Sequence, residues 1–171
     1  EEMLHKIPRT PLPNKVFKNM GDLKFADVGN EWGFSDPTFS NGAAYADLDN
    51  DGDLDLVINN ENQKAFIYEN NTNGLTKNHY ISFLLKGNAK NTFAIGSKIK
   101  VYKSNEILTR EVVPSRGFQS SMDYKQVIGL GNSNKIDSVI IIWPNRTIST
   151  FQNLSADTLH VIQQSPKTIR I

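Results

Sequence analysis

Asp47-Leu48-Asp49-Asn50-Asp51-Gly52-Asp53-Leu54-Asp55 sets five carboxylates at alternate positions around one glycine. Two carboxylates about 4–5 Å apart repel by roughly 4 kcal/mol at an effective dielectric near 20, so a compact loop holding several of them calls for a cation. Oxygen-only donors at this density select a hard ion that accepts many oxygens, which means Ca²⁺ before Mg²⁺. Gly52 permits the sharp bend that turns alternate side chains toward a common centre. The expected metal residues are Asp47, Asp49, Asp51, Asp53 and Asp55, with Asp53 acting through its backbone carbonyl and the other four through side chains.

The flanks decide which kind of loop this is. A helix-loop-helix site takes a bidentate glutamate at the twelfth loop position, and that position is Ile58. Asn41-Gly42-Ala43-Ala44-Tyr45-Ala46 before the loop is short, small and aromatic. Leu54-Asp55-Leu56-Val57-Ile58-Asn59 after it alternates and is β-branched, as a strand should be. The loop is therefore expected to join two strands.

Tyr45 to Leu56 resembles the FG-GAP/VCBS-type repeat of calcium-binding β-propellers. The upstream stretch from Phe17 to Val28 resembles the hairpin that precedes such a loop, and Trp32-Gly33-Phe34 falls where that family carries a short aromatic-glycine element. The resemblance spans roughly residues 16–75 and implies a propeller-type blade. A loose internal repeat supports it: Phe17-Lys18-Asn19-Met20-Gly21 returns as Ile67-Tyr68-Glu69-Asn70-Asn71, at about the spacing of a blade. Only one complete repeat is visible, so upstream blades are the expected partners, since a blade needs stacked neighbours to bury its faces.

Beyond residue 78 the pattern changes to a series of short strands: His79–Leu85, Ser97–Tyr102, Glu106–Val113, Lys125–Leu130, Ile136–Trp143, Ile148–Gln152 and Thr158–Gln163. Ile136–Trp143 is apolar enough to be a central strand covered on both faces. Asn78-His79-Tyr80-Ile81, Ala94-Ile95-Gly96-Ser97-Lys98-Ile99, the run Ser115 to Ser121, Gly129-Leu130-Gly131, and Asp137-Ser138-Val139 leading to Trp143-Pro144-Asn145 together resemble the ASPIC/UnbV domain over residues 78–164. That module commonly follows propellers of the FG-GAP/VCBS type, and the resemblance implies an extracytoplasmic protein. The stretch between Phe118 and Gly129 departs from the family pattern. The expected fold is all-β: an extended segment over 1–15, a partial propeller with its calcium loop over 16–75, a small sandwich- or barrel-like β domain over 78–164, and a tail over 165–171.

Composition narrows the function classes. The chain has 171 residues and no cysteine, which excludes disulfides, thiolate catalysis and cysteine zinc sites. No run of about 18 apolar residues offers a membrane span. Net charge is +1, yet residues 41–75 carry one lysine against seven acids, a balance of −6. Residues 76–171 carry thirteen Lys and Arg against five acids, a balance of +8. The basic half is suited to an anionic partner such as an acidic polysaccharide, against a plainer reading of lysines on solvated strand faces. No basic cluster with interleaved aromatics suggests nucleic acid.

Other candidate sites are weaker. His5, His79 and His160 lack ligand spacing. Gly129-Leu130-Gly131 lacks the third glycine of a dinucleotide loop and reads as a turn. Ser115, Ser120 and Ser121 sit in no nucleophile elbow. Arg116, Gly117 and Phe118 join a cation, a flexible residue and an aromatic in one turn, the make-up of a ligand-binding loop or of a structural corner. The expectation is a non-enzymatic, calcium-stabilised binding or adhesion module, secreted, periplasmic or on a bacterial surface, whose ligand is a glycan or protein. The alternative is an accessory or partial catalytic segment of a polysaccharide-degrading propeller enzyme.

Overall fold

The chain from Ser40 to Asn60 folds as the acidic stretch demands. β5 (Ser40–Ala46) enters the loop and β6 (Asp55–Asn60) leaves it, with no helix after Gly52. β7 (Phe66–Tyr68) completes a three-stranded sheet in the order β5-β6-β7. This computed structural model describes residues 10–165 and 169–170. The extended reading of residues 1–15 lies outside the described residues as far as position 9, and so do His5 and, in the tail, positions 166–168 and 171.

Upstream, β1 (Leu12–Pro13) pairs with β4 (Pro37–Thr38), so part of the proline-rich start is held as a strand. β2 (Phe17–Gly21) and β3 (Lys24–Asp27) form the antiparallel hairpin expected before the loop. A register shift between Asn19 and Gly21 marks its turn end. Phe17, Met20, Leu23 and Phe25 on this hairpin are all exposed.

A one-turn helix, α1 (Thr72–Leu75), leads into the C-terminal strands. These are β8 (His79–Lys86), β9 (Lys98–Lys103), β10 (Glu106–Glu111), β11 (Gln126–Gly131), β12 (Ser138–Ile142), β13 (Thr147–Phe151), β14 (Leu159–Gln163) and β15 (Ile169–Arg170). They build a five-stranded sheet, β10-β9-β12-β13-β15, and a three-stranded sheet, β11-β8-β14. All pairings are antiparallel except β14 on β8, which is parallel. The chain is all-β, and its described strands close neither a propeller ring nor a barrel.

Strand periodicity explains the core. Alternate residues of β8 (Ile81, Phe83, Leu85), β9 (Ile99, Val101) and β12 (Val139, Ile141) point the same way and are buried together with Ile128, Leu130 and Trp143. Two sheets thus bury their inner faces in one core, as a sandwich does. β12 is central, between β9 and β13, but only one of its faces is fully covered: Ser138, Ile140 and Ile142 on the other are half-buried. Gly129-Leu130-Gly131 is not a turn between strands. It is the bulged end of β11, with Leu130 in the core and the shift falling between the two glycines.

The chain divides into two compact units. One comprises the chain up to Gly42 together with Ile58–Phe66; the other comprises Ala43–Val57 and the chain from Ile67 onward. The acidic loop therefore belongs to the same unit as the C-terminal strands.

Trp143 is 1% exposed, and its indole N–H donates to Ser149 Oγ at 2.8 Å. Trp143→Ala is expected to remove about 3–5 kcal/mol of stability. The measurement is a urea denaturation curve, whose midpoint should fall while its slope stays unchanged.

Candidate metal centre

Each alternate aspartate of the loop has its own neighbours. Asp55 begins β6, and its two oxygens accept the Leu48 and Asn70 amides, both at 2.9 Å. It ties the two ends of the loop together. Asp49 Oδ1 accepts the Asp51 amide at 3.2 Å, and Asp51 Oδ1 accepts the Asp53 amide at 3.0 Å. These short side-chain-to-backbone bonds fold the loop into successive turns. Asn50 and Gly52 take positive φ, 64° and 94°, at the two tightest places. Asparagine tolerates that conformation and glycine adopts it freely.

Asp47, Asp49 and Asp51 bring one carboxylate oxygen each to within 4.8 Å of one another. Asp47 is 8% exposed and Asp53 9%, and one oxygen of each, Oδ1, is buried with no hydrogen-bond partner. Burial pushes the Asp53 carboxyl up; the charges of Asp51, Asp55 and Asp49 add to this, against the Asn73 amide that donates to it. Such orphaned buried oxygens are costly unless a cation meets them. An all-oxygen set on a turn of this kind fits Ca²⁺, so the residues present match the expected ion. Asp53 and Asp55 stand outside this group of three: Asp55 has both oxygens engaged by amides, and Asp53, expected to act through its backbone carbonyl, has a buried side-chain oxygen instead left without a partner.

Several residues that frame the loop were not foreseen from sequence. Lys125, just before β11, places its Nζ 2.8 Å from Asp47 Oδ2 and 3.0 Å from Asn50 Oδ1. The pair is well buried, with side-chain exposures of 12% and 3%. Asn73 of α1 donates its side-chain amide to the Asp51 carbonyl at 2.6 Å and its backbone N–H to Asp53 Oδ2 at 3.2 Å. The Tyr80 ring lies directly against Gly52, where any Cβ would overlap it. These partners sit 20 to 78 positions away in sequence, and no local pattern flags them.

Arg116, Gly117 and Phe118 lie on an exposed loop between β10 and β11. It is pinched by a bridge between Ser115 and Ser121, with Gly117 at a φ of 74°. Phe118 is 66% exposed. Arg116 Nε donates to the Val113 carbonyl at 3.3 Å. Arg116 lines a cavity of about 300 Å³ with Tyr45, Leu54, Arg110, Lys125, Gln126 and Val127; Phe118 does not.

His79 pairs with Asp157, Nδ1 to Oδ2 at 2.7 Å, at the edge of a wider cavity lined also by Asn73, Lys77, Asn78 and Tyr80. Asp157 also accepts the Tyr80 amide at 3.1 Å. Burial works against the Asp157 charge, but the hydrogen bonds from His79 and from the Tyr80 amide outweigh it. They hold this carboxyl below the ordinary aspartate range. His160 meets the Ser155 carbonyl at 2.9 Å and lies against Phe83, so it is a packed side chain.

With this geometry in place, comparison with known proteins adds one class of match. Residues 87–169, which carry the strands from β9 to β14, match the family described as ASPIC and UnbV. The match begins nine residues later than the sequence resemblance suggested. No curated protein matches the chain.

Gly52→Ala combines a left-handed backbone with an overlap on Tyr80, and is expected to destabilise the fold by more than about 1 kcal/mol. Thermal melts of Gly52→Ala alone and combined with Tyr80→Ala should show part of the loss recovered in the double variant. Asp157 gives a pH signature. Because its folded carboxyl is depressed, its stabilisation is complete above the unfolded value and disappears as pH falls through the folded one. Urea midpoints of the wild type and Asp157→Asn, measured from neutral to strongly acid pH, should differ at neutrality and converge below the ordinary aspartate range.

Proposed function

We propose that this chain is a calcium-stabilised extracytoplasmic binding module, without catalysis, whose ligand is a glycan or a protein. The observation that carries the reading is the pair of buried carboxylate oxygens, Asp47 Oδ1 and Asp53 Oδ1, that meet no donor. Three aspartates within 4.8 Å of one another repel by about 3–4 kcal/mol per pair at an effective dielectric near 20. Lys125 offsets part of that and reaches only Asp47 and Asn50. Asp47, Asp49 and Asp51, whose carboxylate oxygens converge, would hold the ion, with Asp53 and Asp55 of the expected set beside them; the ion would neutralise the loop's charge and pin β5 to β6.

An extracytoplasmic setting suits such a site, since calcium loops of extracellular modules work at about 10⁻⁴–10⁻³ M and would stay empty in cytosol. The reading of the N-terminal part as a blade of an FG-GAP/VCBS-type propeller belongs to the same proposal. Its support is the β2–β3 hairpin, where Phe17, Met20, Leu23 and Phe25 stand between 60% and 95% exposed, as a blade missing its neighbours would leave them. Upstream blades are the partners this reading names.

The enzymatic alternative has one observation in its favour, the His79–Asp157 pair in an open cavity. Asp157 there also closes the turn before β14, donating its own amide to the Tyr80 carbonyl at 2.7 Å. The cavity lining offers no serine, threonine or cysteine for the pair to activate. A structural turn accounts for the contacts.

Calcium should raise the melting temperature of the isolated chain, by about 2.7 kcal/mol of stability at a free concentration one hundred times the dissociation constant. Asp47→Asn and Asp51→Asn should lose that increment, and a chelator should reverse it. An unchanged melt at millimolar calcium refutes the metal reading. Calcium-dependent breakdown of a polysaccharide, abolished by His79→Ala, would replace the binding module with an enzyme.

A further inference from the structure

The cavity beside the acidic loop gathers more positive charge than the loop itself engages. Its lining brings together three cations, Arg110 from β10, Arg116 from the following loop and Lys125 before β11. No acidic residue lines it. Leu54 and Val127 give it an apolar floor, Gln126 a neutral polar group, and Tyr45, 38% exposed, an aromatic wall.

The two arginines are poorly used by the protein itself. Arg110 Nη1 donates to the Thr109 carbonyl at 3.4 Å, and Arg116 Nε to the Val113 carbonyl at 3.3 Å. Among the described residues neither forms an ion pair, whereas Lys15, Lys98, Lys103 and Lys125 all do. Two guanidinium groups facing one cavity repel each other, and an anion between them relieves that repulsion. Guanidinium is also the group that grips a planar carboxylate through two parallel hydrogen bonds.

The geometry points to this cavity as a binding site for an acidic sugar residue, its carboxylate held by Arg110 and Arg116 and its ring laid against Tyr45. About 300 Å³ lies at the small end of ligand cavities and suits one ring. An aromatic wall above an apolar floor offers a sugar's C–H face the contact that an acidic peptide side chain, all charge and short stem, does not need. The inference deepens the binding-module reading and rests on it, naming the ligand class.

Lys125 ties this cavity to the metal loop, because the ammonium that lines it is also held by Asp47. Without a cation, the loop's carboxylates oppose an incoming anion from one side chain away. Calcium in the loop removes that opposition, so calcium and the acidic sugar strengthen each other's binding. By linkage the factor is the same in both directions.

The test is calorimetric titration of the chain with trigalacturonate, with neutral galactotriose, with a sulfated galactose trisaccharide and with a Glu-Tyr-Glu peptide. Each is run in millimolar calcium and again in chelator. Trigalacturonate should bind, more tightly with calcium than without and more weakly as salt rises. Arg110→Gln and Arg116→Gln, both at exposed positions, should each lower its affinity about tenfold or more while leaving the calcium-induced rise in melting temperature intact. Undiminished trigalacturonate binding in both arginine variants, with loss only in chelator, would mean a uronate bridged by the loop's metal and overturns the assignment. Equal or tighter binding of the neutral, sulfated or peptide probe overturns it too, as does no binding of trigalacturonate. The two readings separate cleanly: a calcium-stabilised chain that ignores trigalacturonate sinks only this inference. Arginine-dependent binding with no calcium effect on the melt sinks the metal reading and leaves the cavity.

Discussion

Carboxylates crowded into a nine-residue turn repel one another, and the whole arrangement around residues 47–55 is a response to that repulsion. Asp49 and Asp51 take amides from within the loop. Asp55 takes two amides and closes it. Lys125 meets Asp47, and Asn73 meets Asp51 and Asp53 from α1. What these partners leave unmet, one oxygen each on Asp47 and Asp53, is the demand that a divalent ion would satisfy.

The C-terminal sandwich is what makes those partners available. Its core of alternate β8, β9 and β12 residues holds Ile81, Ile99, Val101 and Val139 at zero exposure, and that fixes β8 and the start of β11 in place. Tyr80, within β8, and Lys125, just before β11, then press on the loop from fixed positions. A loop supported only by its own turns would lack these anchors. One of these anchors, Lys125, lies within the residues matched to the ASPIC and UnbV family, while Tyr80 and Asn73 precede them.

Much of this was legible in the sequence, for physical reasons that differ from place to place. Alternation over Leu54–Asn59 and over Lys98–Tyr102 announced strands because a half-buried strand must alternate. The D-x-D-x-D-G run marks a tight loop between two strands, which the structure has at residues 47–54 between β5 and β6. The apolar run Ile136–Trp143 suggests a strand covered on both faces, yet within β12 only every second residue enters the core. Gly129-Leu130-Gly131 was read as a turn because glycines usually punctuate strands, and a bulge uses them equally well. The contacts of Lys125, the His79–Asp157 pair and the gathering of Arg110 with Arg116 were invisible, since each joins residues whose proximity only the pairing of distant strands creates.

The packing of Tyr80 against Gly52 carries an implication for how the molecule comes together. A ribosome delivers residues 47–55 well before Tyr80, and Lys125 later still, so the acidic turn emerges without its outer supports. β8 in turn needs β14, almost eighty positions downstream, to complete its parallel edge. Pairings of such separation form slowly. The turn therefore gains its Tyr80 and Lys125 contacts only once strands distant in sequence have paired.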